Sequence, residues 1–585
     1  MKVERTEDAE RPFSWEVTSI EFSGGQEIPL EPGSLLVLIG PNSGGKSTAL
    51  RDIEHHLNGS APGPVVSEVS LRTNWNADGF VLWLGQSFTS RMIQGQRHFR
   101  TAGGDLPENT ARGGALNQAA AFLIHRLDTE NRLAITQPKN SIDRSGDETP
   151  TEYIHVLQED DDLREKLSAV VRNAFGADLI INHQGGRRVW FHAGDEPERS
   201  AERDRVSSGY LEELNAVPRL EVEGDGIRSF VGTLLAARCG NQPLLLIDEP
   251  EAFLHPPQAR RLATAIAASV GEQDRQAVIA THSADVLREL TSRSDRVSIC
   301  RITRDGERNN ASLLRADQVK ELWSKPLLRS SAGLEGLFHD GVVVCEGDAD
   351  ARVYEALVAS LEGQDNIQRA DLHFVHGGGT GQLATLANAY KSLDTKTAVI
   401  ADIDILREKP LVEGVVTALH GDFAKLEEQV RAVSAMLGER KPVVSVKDLV
   451  KKVKSEIEKV AEANELSNER RRSIADLLAG ASDWSEAKKY GLSKLKGGDN
   501  KAATSLLNQL EEIGLFVLPV GELERWWPAG SADKSEWVLQ ALDKVSEEPG
   551  VFAAASAFIT RVCGFLGVSA RISDDGAGDT KQGLE

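Results

Sequence analysis

Residues 40–48, Gly-Pro-Asn-Ser-Gly-Gly-Lys-Ser-Thr, follow the apolar run Ser34-Leu-Leu-Val-Leu-Ile39 and precede a stretch with helical spacing. A buried strand that passes through a glycine-rich turn into a helix aims successive backbone N–H groups at one place, and that place suits phosphate. The junction commits the first part of the chain to an α/β fold, because the strand must lie in a sheet and the helix must cover it. Within the loop, Gly40, Asn42, Ser43, Gly44 and Gly45 form the turn and Thr48 enters the helix. Lys46 reaches the β and γ phosphates and Ser47 ligates Mg²⁺.

Two later segments fit the same chemistry. Pro243-Leu-Leu-Leu-Ile-Asp248-Glu249-Pro250 is an apolar strand ending in two carboxylates. Asp248 is expected to hold Mg²⁺ through water and Glu249 to polarise the water that attacks the γ-phosphate. Ala277-Val-Ile-Ala-Thr-His282-Ser283 ends another strand with a histidine placed as a γ-phosphate sensor. ATP and Mg²⁺ (or Mn²⁺) are the cofactors expected, with Glu249 and His282 acting on ATP.

A second α/β pattern starts at Gly341-Val-Val-Val-Cys345, continues at Thr397-Ala-Val-Ile-Ala401 and returns at Leu515-Phe-Val-Leu-Pro-Val520. Short buried strands separated by helical material predict an open, mostly parallel sheet, whose carboxyl edge collects ligands. At that edge stand Glu346 and Asp350, then Asp402 and Asp404, then Glu522 and Glu524. Residues i and i+2 of a strand project to one side, so Asp402 and Asp404 share a face. Converging hard oxygens need a cation, and two Mg²⁺ or Mn²⁺ ions about 4 Å apart stabilise both oxygens of a phosphodiester displacement. Glu346 is the central candidate in this second site.

At 585 residues the chain is long for one core, and roughly 150 residues per domain predicts two to four domains. The expected layout is an ATPase domain over residues 1–325, with an exposed inserted arm at about 60–220, and a linker at 326–340. A metal-binding domain over 341–572 follows, with a helical insertion at about 410–510, and then a flexible tail at 573–585. Lys451, Lys452 and Lys454, with Arg470-Arg471-Arg472, lie in that insertion, and their interspersed glutamates favour a solvated helix face. A net charge of -22 excludes coating of nucleic acid by bulk charge, but not a nuclease with a local basic path. Cys239, Cys300, Cys345 and Cys563 have neither metal nor disulfide spacing, and the charged N-terminus lacks an apolar core. No run approaches the roughly 18 apolar residues of a membrane span, so a cytoplasmic protein is expected.

The first set of motifs resembles the heads of ABC-type ATPases. That resemblance identifies Gly224-Asp-Gly-Ile-Arg-Ser229 as the signature segment, whose Gly226, Arg228 and Ser229 would cap a nucleotide bound to a second copy, and so implies a homodimer or larger homo-oligomer. The segment departs from the transporter sequence Leu-Ser-Gly-Gly-Gln. Gln118 is one candidate for the glutamine loop.

The second constellation resembles the topoisomerase–primase (Toprim) domain. The run LFHDGVVVCEGDADARVYEAL after an ABC-type head is similar to the overcoming-lysogenization-defect (OLD) nucleases, including Gabija-type and retron-associated anti-phage effectors. The implied fold is an ABC-type P-loop head followed by a Rossmann-like Toprim domain. The implied activity is ATP-regulated, metal-dependent endonuclease action in phage defence, on DNA ahead of RNA, with a helicase or other defence protein as partner. By the same resemblance Glu346, Asp350, Asp402 and Asp404 bind metal, joined by Glu522 or Glu524, and a catalytic lysine follows, Lys534 or Lys544. Asp350 stands where relatives have Glu. An ATP-gated scaffold that binds a partner or nucleic acid without cutting is the competing expectation.

Overall fold

The computed structural model describes residues 1–5, 13–61, 63–114, 116–142, 150–183, 186–198, 204–205, 207–324, 331–363, 367, 371–437, 450–451, 454–455, 483–531 and 533–568. Lys452, Arg470, Arg471, Arg472, the tail at 573–585 and much of the expected linker lie outside them. The chain divides into two compact units, residues 1–338 and 339–585.

In the first unit a six-stranded sheet runs in the order Arg308–Leu314, Val297–Asp305, Leu35–Ile39, Gln276–Ala280, Leu244–Asp248, Ile124–Leu127. All neighbours are parallel except the edge pair Val297–Asp305 and Arg308–Leu314. Leu35–Ile39 and Gln276–Ala280 are buried along their whole length, as strands covered on both faces must be. The helices Lys46–Asn58, Asp225–Cys239 and Pro256–Gln273 supply cover.

A second sheet, in the order Lys2–Arg5, Val66–Asn74, Ser14–Phe22, Glu27–Pro29, adjoins it. Its strand pairing shifts register between Val17 and Ser19, and buried Gln276 meets the freed groups of that bulge. The Gln276 amide nitrogen donates to the Val17 carbonyl at 2.7 Å, and its oxygen accepts from the Val17 N–H at 2.8 Å.

Residues 60–220 are not a single exposed arm. Val66–Asn74 belongs to the second sheet and Ile124–Leu127 to the main one, so the chain returns to the core midway. Between them lies the three-stranded sheet Thr89–Ile93, Gln96–Thr101, Gly104–Pro107, whose Phe99 and Leu106 are buried in the core. Ile124-His-Arg-Leu127 has one buried residue at each end and two half-buried ones between, a pattern too short and too polar to stand out as a core strand.

The second unit holds a parallel four-stranded sheet in the order Leu372–His376, Gly341–Cys345, Lys396–Ala401, Leu515–Val517. Leu372–His376 is additional to the three strands expected from sequence. As an edge strand it is only half covered, and its two histidines break the apolar run. The described parts of the insertion are helical, at Lys409–Ala418, Glu427–Leu437, Asp483–Tyr490 and Gly498–Ile513. Among the described residues no helix is long and apolar enough to cross a membrane.

Candidate functional site

The carboxyl ends of Leu35–Ile39, Leu244–Asp248 and Gln276–Ala280 bring the first set of residues together. Gly40 (φ 131°), Ser43 (φ 65°) and Gly45 (φ 98°) carry the loop through left-handed backbone, and Gly45 caps the helix Lys46–Asn58. A Cβ at Gly40 would collide with the Ile302 carbonyl, so glycine is required there for space as well as for φ. The Lys46 ammonium donates to the carbonyls of Gly40 and Pro41, each at 2.8 Å, so the lysine lies folded over its own loop. Burial lowers its pKa to about 8, against the pull of Glu249, Asp248 and Glu251. The Ser47 hydroxyl donates to Asp248 Oδ1 at 2.9 Å, which unites the two expected Mg²⁺ holders. Ser43, Gly45, Lys46, Ser47, Thr48 and His282 share a cleft of about 360 Å³ with Pro64, Val65, Arg304, Glu307 and Asn309. Asn42 is exposed on the loop's crest.

Glu249 adopts φ 46°, and its carboxylate lies 3.3 Å from His282 Nε2. Burial, aided by the Lys46 charge, lowers the His282 pKa to about 4, so the imidazole is neutral near pH 7 and able to bond a phosphate oxygen. Three residues that sequence reading passed over hold this arrangement. Half-buried Glu251 accepts from the Thr281 hydroxyl and the His282 N–H, both at 2.7 Å, and fixes the histidine's backbone. Arg132, fully buried, donates to the Asp248 carbonyl. Asn309 donates to the Gly44 carbonyl at 2.7 Å from the neighbouring hairpin. Glu251 was visible two residues past the Asp-Glu pair, whereas Arg132 and Asn309 carry no local signal.

The expected signature segment opens the helix Asp225–Cys239. Gly226 and Arg228 lie near its start, Arg228 paired with Asp225 at 2.8 Å, but Ser229 is 0% exposed and faces the core. Ser229 therefore falls out of the expected contact set, because helical spacing turns it onto the packed side. Gln118 lies in the turn Leu116–Ala119, whose Asn117 meets Gly59 at the far end of the helix Lys46–Asn58. A thirteen-residue helix spans roughly 20 Å, which separates Gln118 from the phosphate loop.

The second site forms at the carboxyl ends of Gly341–Cys345, Lys396–Ala401 and Leu515–Val517. Glu346 Oε1 accepts from the Asp402 N–H at 3.1 Å and Oε2 from the Thr380 hydroxyl at 3.1 Å. Thr380 follows Gly377-Gly378-Gly379, a turn whose left-handed Gly378 (φ 71°) and Gly379 (φ 140°) return the chain over Glu346. Asp350, in the first turn of the helix Asp348–Gly363, accepts from the Gly347 N–H at 3.0 Å. Burial raises the pKa values of Glu346 and Asp350. Burial, then the charges of Glu346 and Asp350, lifts Asp402 to about 8.

Glu524 and Glu522 separate here. Glu524 pairs with Lys534 at 3.2 Å, and both act electrostatically on Asp350. Glu522 is instead engaged by Arg525 at 3.0 Å. Of the two expected lysines, Lys544 pairs with exposed Glu548 at 2.7 Å, whereas Lys534 stands beside Glu524 and Asp350.

The donor set fits a hard divalent cation, because it consists of carboxylates crowded against their own charge and holds unsatisfied oxygens. Asp404 Oδ1 and Glu524 Oε2 are buried with no hydrogen-bond partner among the described residues. As the side chains stand, no three such groups among the described residues close around one point. Two ammonium groups stand among these carboxylates. Lys488 lies 2.7 Å from Asp404 Oδ2 and 3.9 Å from Asp402 Oδ2, while Lys534 engages Glu524.

Two family models match parts of the chain. Residues 83–288 match the family described as "AAA domain, putative AbiEii toxin, Type IV TA system". Residues 337–404 match "Overcoming lysogenization defect protein-like, TOPRIM domain". Similar solved structures include an Smc head bound to the C-terminal winged-helix domain of ScpA, with 13% identity over 52% of this chain and 99% of that one, TM-score 0.33. Another is an Smc head domain with an extended coiled coil, bound to the C-terminal domain of ScpA derived from Pyrococcus furiosus, with 13% identity, 53% and 99% coverage and TM-score 0.31. A third is the dimeric ATP-binding cassette MJ0796 with ADP and Pi, with 13% identity, 52% and 99% coverage and TM-score 0.25. No curated protein matches the chain.

Proposed function

The chain is an OLD-family ATPase–Toprim protein, and from that premise we propose that it is an ATP-regulated, divalent-metal-dependent endonuclease acting on DNA in anti-phage defence. The observation that carries this reading is the acidic cluster at the sheet's carboxyl edge, where Glu346, Asp350, Asp402 and Asp404 crowd together and Asp404 keeps a buried, unbonded oxygen. Mg²⁺ or Mn²⁺ bound there supplies Lewis acidity at the scissile phosphate and at the attacking water. Glu346 is held by Thr380 and the Asp402 N–H as the central ligand, Asp402 and Asp404 flank it, and Asp350 and Glu524 complete the far side. Lys534, paired with Glu524 at 3.2 Å, would supply positive charge to a substrate phosphate.

In the first unit Lys46, Ser47 and Asp248 bind the phosphates and Mg²⁺, Glu249 orients the attacking water, and neutral His282 contacts the γ-phosphate. A second copy completes the cleft through Gly226 and Arg228. Val222 and Phe253, 73% and 56% exposed, flank that segment, and apolar side chains left in water there suit burial against another copy.

The test is a cleavage assay on plasmid DNA, phage DNA and RNA with Mg²⁺ or Mn²⁺, run with ATP, with ADP and without nucleotide. Cleavage is expected to require metal and to disappear in Glu346→Ala. Its nucleotide dependence is expected to vanish in Lys46→Ala. Intact substrates under every condition, with Glu346→Ala protecting cells from phage as well as the parent does, would support the non-cutting scaffold instead.

A further inference from the structure

The insertion between the third and fourth strands of the Toprim sheet delivers a cation into the acidic cluster. Lys488 belongs to the helix Asp483–Tyr490, and its ammonium lies 2.7 Å from Asp404 Oδ2 and 3.9 Å from Asp402 Oδ2. The next residue, Lys489, instead lies over the ring of Tyr490 at 5.1 Å.

The backbone fixes the register between Lys488 and the carboxylates. Gly521 adopts φ 110° and passes so close to the helix that a Cβ there would collide with the Lys488 carbonyl. The Gly521 carbonyl accepts from the Ile403 N–H at 2.9 Å, so one residue ties the lysine's helix to the Asp402–Asp404 turn. Gly491 (φ 52°) approaches the Pro519 carbonyl just as closely, and the Leu492 N–H donates to that oxygen at 2.8 Å. A pair this well anchored is unlike a surface lysine that meets an acid by chance.

An ammonium on a carboxylate oxygen stands where a divalent cation would coordinate. Lysine suits the place, because its charge is compact and its four-carbon stem can withdraw without moving the backbone. With its side chain 37% exposed, Lys488 has solvent to withdraw into. Resting on the metal-site reading above, we infer that Lys488 is a tethered counter-ion that occupies the Asp402–Asp404 end of the site and must be displaced by the divalent cation, so that the insertion sets the affinity for metal.

The test uses the full chain, stripped with chelator and titrated with Mn²⁺ while free Mn²⁺ is followed by electron paramagnetic resonance. Lys488→Gln and Lys488→Met remove the competing charge and are expected to bind Mn²⁺ at least about tenfold more tightly than the parent. Lys488→Arg keeps the charge and is expected to gain nothing, and Asp404→Asn to bind most weakly. In chelator, Lys488→Gln is expected to melt below the parent, with the gap closing as Mn²⁺ is added. Unchanged or weaker Mn²⁺ binding in both neutral variants, with parent binding intact, overturns the inference and leaves the metal site standing. An absence of Mn²⁺ binding in every protein overturns the metal site and the inference together.

Discussion

The two sites are built from the same kind of edge, the carboxyl ends of parallel strands, yet they are in opposite states of completion. Around the phosphate loop the groups are already paired: Ser47 bonds Asp248, Glu251 holds His282, Asn309 holds the loop, and Lys46 lies on its own carbonyls. Left-handed backbone at Gly40 and Gly45, and strained left-handed backbone at Ser43 and Glu249, is fixed by those contacts. In the Toprim site Asp402 is pushed to about 8, two carboxylate oxygens have no partner among the described residues, and Lys488 and Lys534 pair with Asp404 and Glu524. A site that supplies its own hydrogen bonds can be rigid before the ligand arrives. One made of like charges repels itself, and the proposed cation would relieve that repulsion.

That contrast can be broken most severely by neutralising one acid in each site. Glu249→Gln is expected to slow ATP hydrolysis by about 10²–10⁴-fold while ATP still binds. Glu346→Gln is expected to cut cleavage on the order of 10²–10³-fold while ATPase activity stays intact. Parallel ATPase and nicking assays read both, and a variant that lowers the two activities equally would show that the sites are not chemically separate.

A smaller effect probes the strain. Gly40→Ala forces a Cβ against Ile302 at φ 131° and is expected to destabilise the first unit by about 1–3 kcal/mol, with loss of ATP binding, measured by melting with and without nucleotide.

Acidity gives a subtler test. Asp402 has its pKa raised to about 8 in the fold from the ordinary value of 3.8, so its proton stabilises the metal-free fold fully below that lower value. This contribution is lost as pH rises through about 8. Melting in chelator is therefore expected to weaken between pH 5 and 9 by an amount that Asp402→Asn abolishes. Mn²⁺ affinity is expected to rise over the same interval, because binding expels the proton.

The least effect is expected at Lys544, whose partner Glu548 lies away from the cluster. Lys544→Ala should leave cleavage within about twofold of the parent, since exposed pairs contribute little. Lys534→Ala should lose most of it.

What was legible in the sequence follows the same division. The phosphate loop, Asp248, Glu249 and His282 sit directly after buried apolar strands, where a short motif and its strand are read together. Glu346 and Asp402 likewise stand directly after buried strands, with Asp350 in the helix turn and Asp404 in the 3-10 turn that follow. Thr380 and Lys488 were not, because an edge strand with two histidines hid the first and a long insertion separated the second from the strand ends it serves. Ile124–Leu127 escaped notice because four residues with a polar middle do not show the pattern of a buried strand. Ser229 was misplaced because motif spacing does not reveal which side of a helix is packed.

The measurement that bears most directly on the unfinished Toprim site is anomalous diffraction from crystals soaked in Mn²⁺. The expected result is a peak bonded to Glu346 and to Asp402 or Asp404, with the Lys488 ammonium moved off Asp404. Manganese absent from those carboxylates, or bound with the Lys488–Asp404 pair unchanged, would contradict the account.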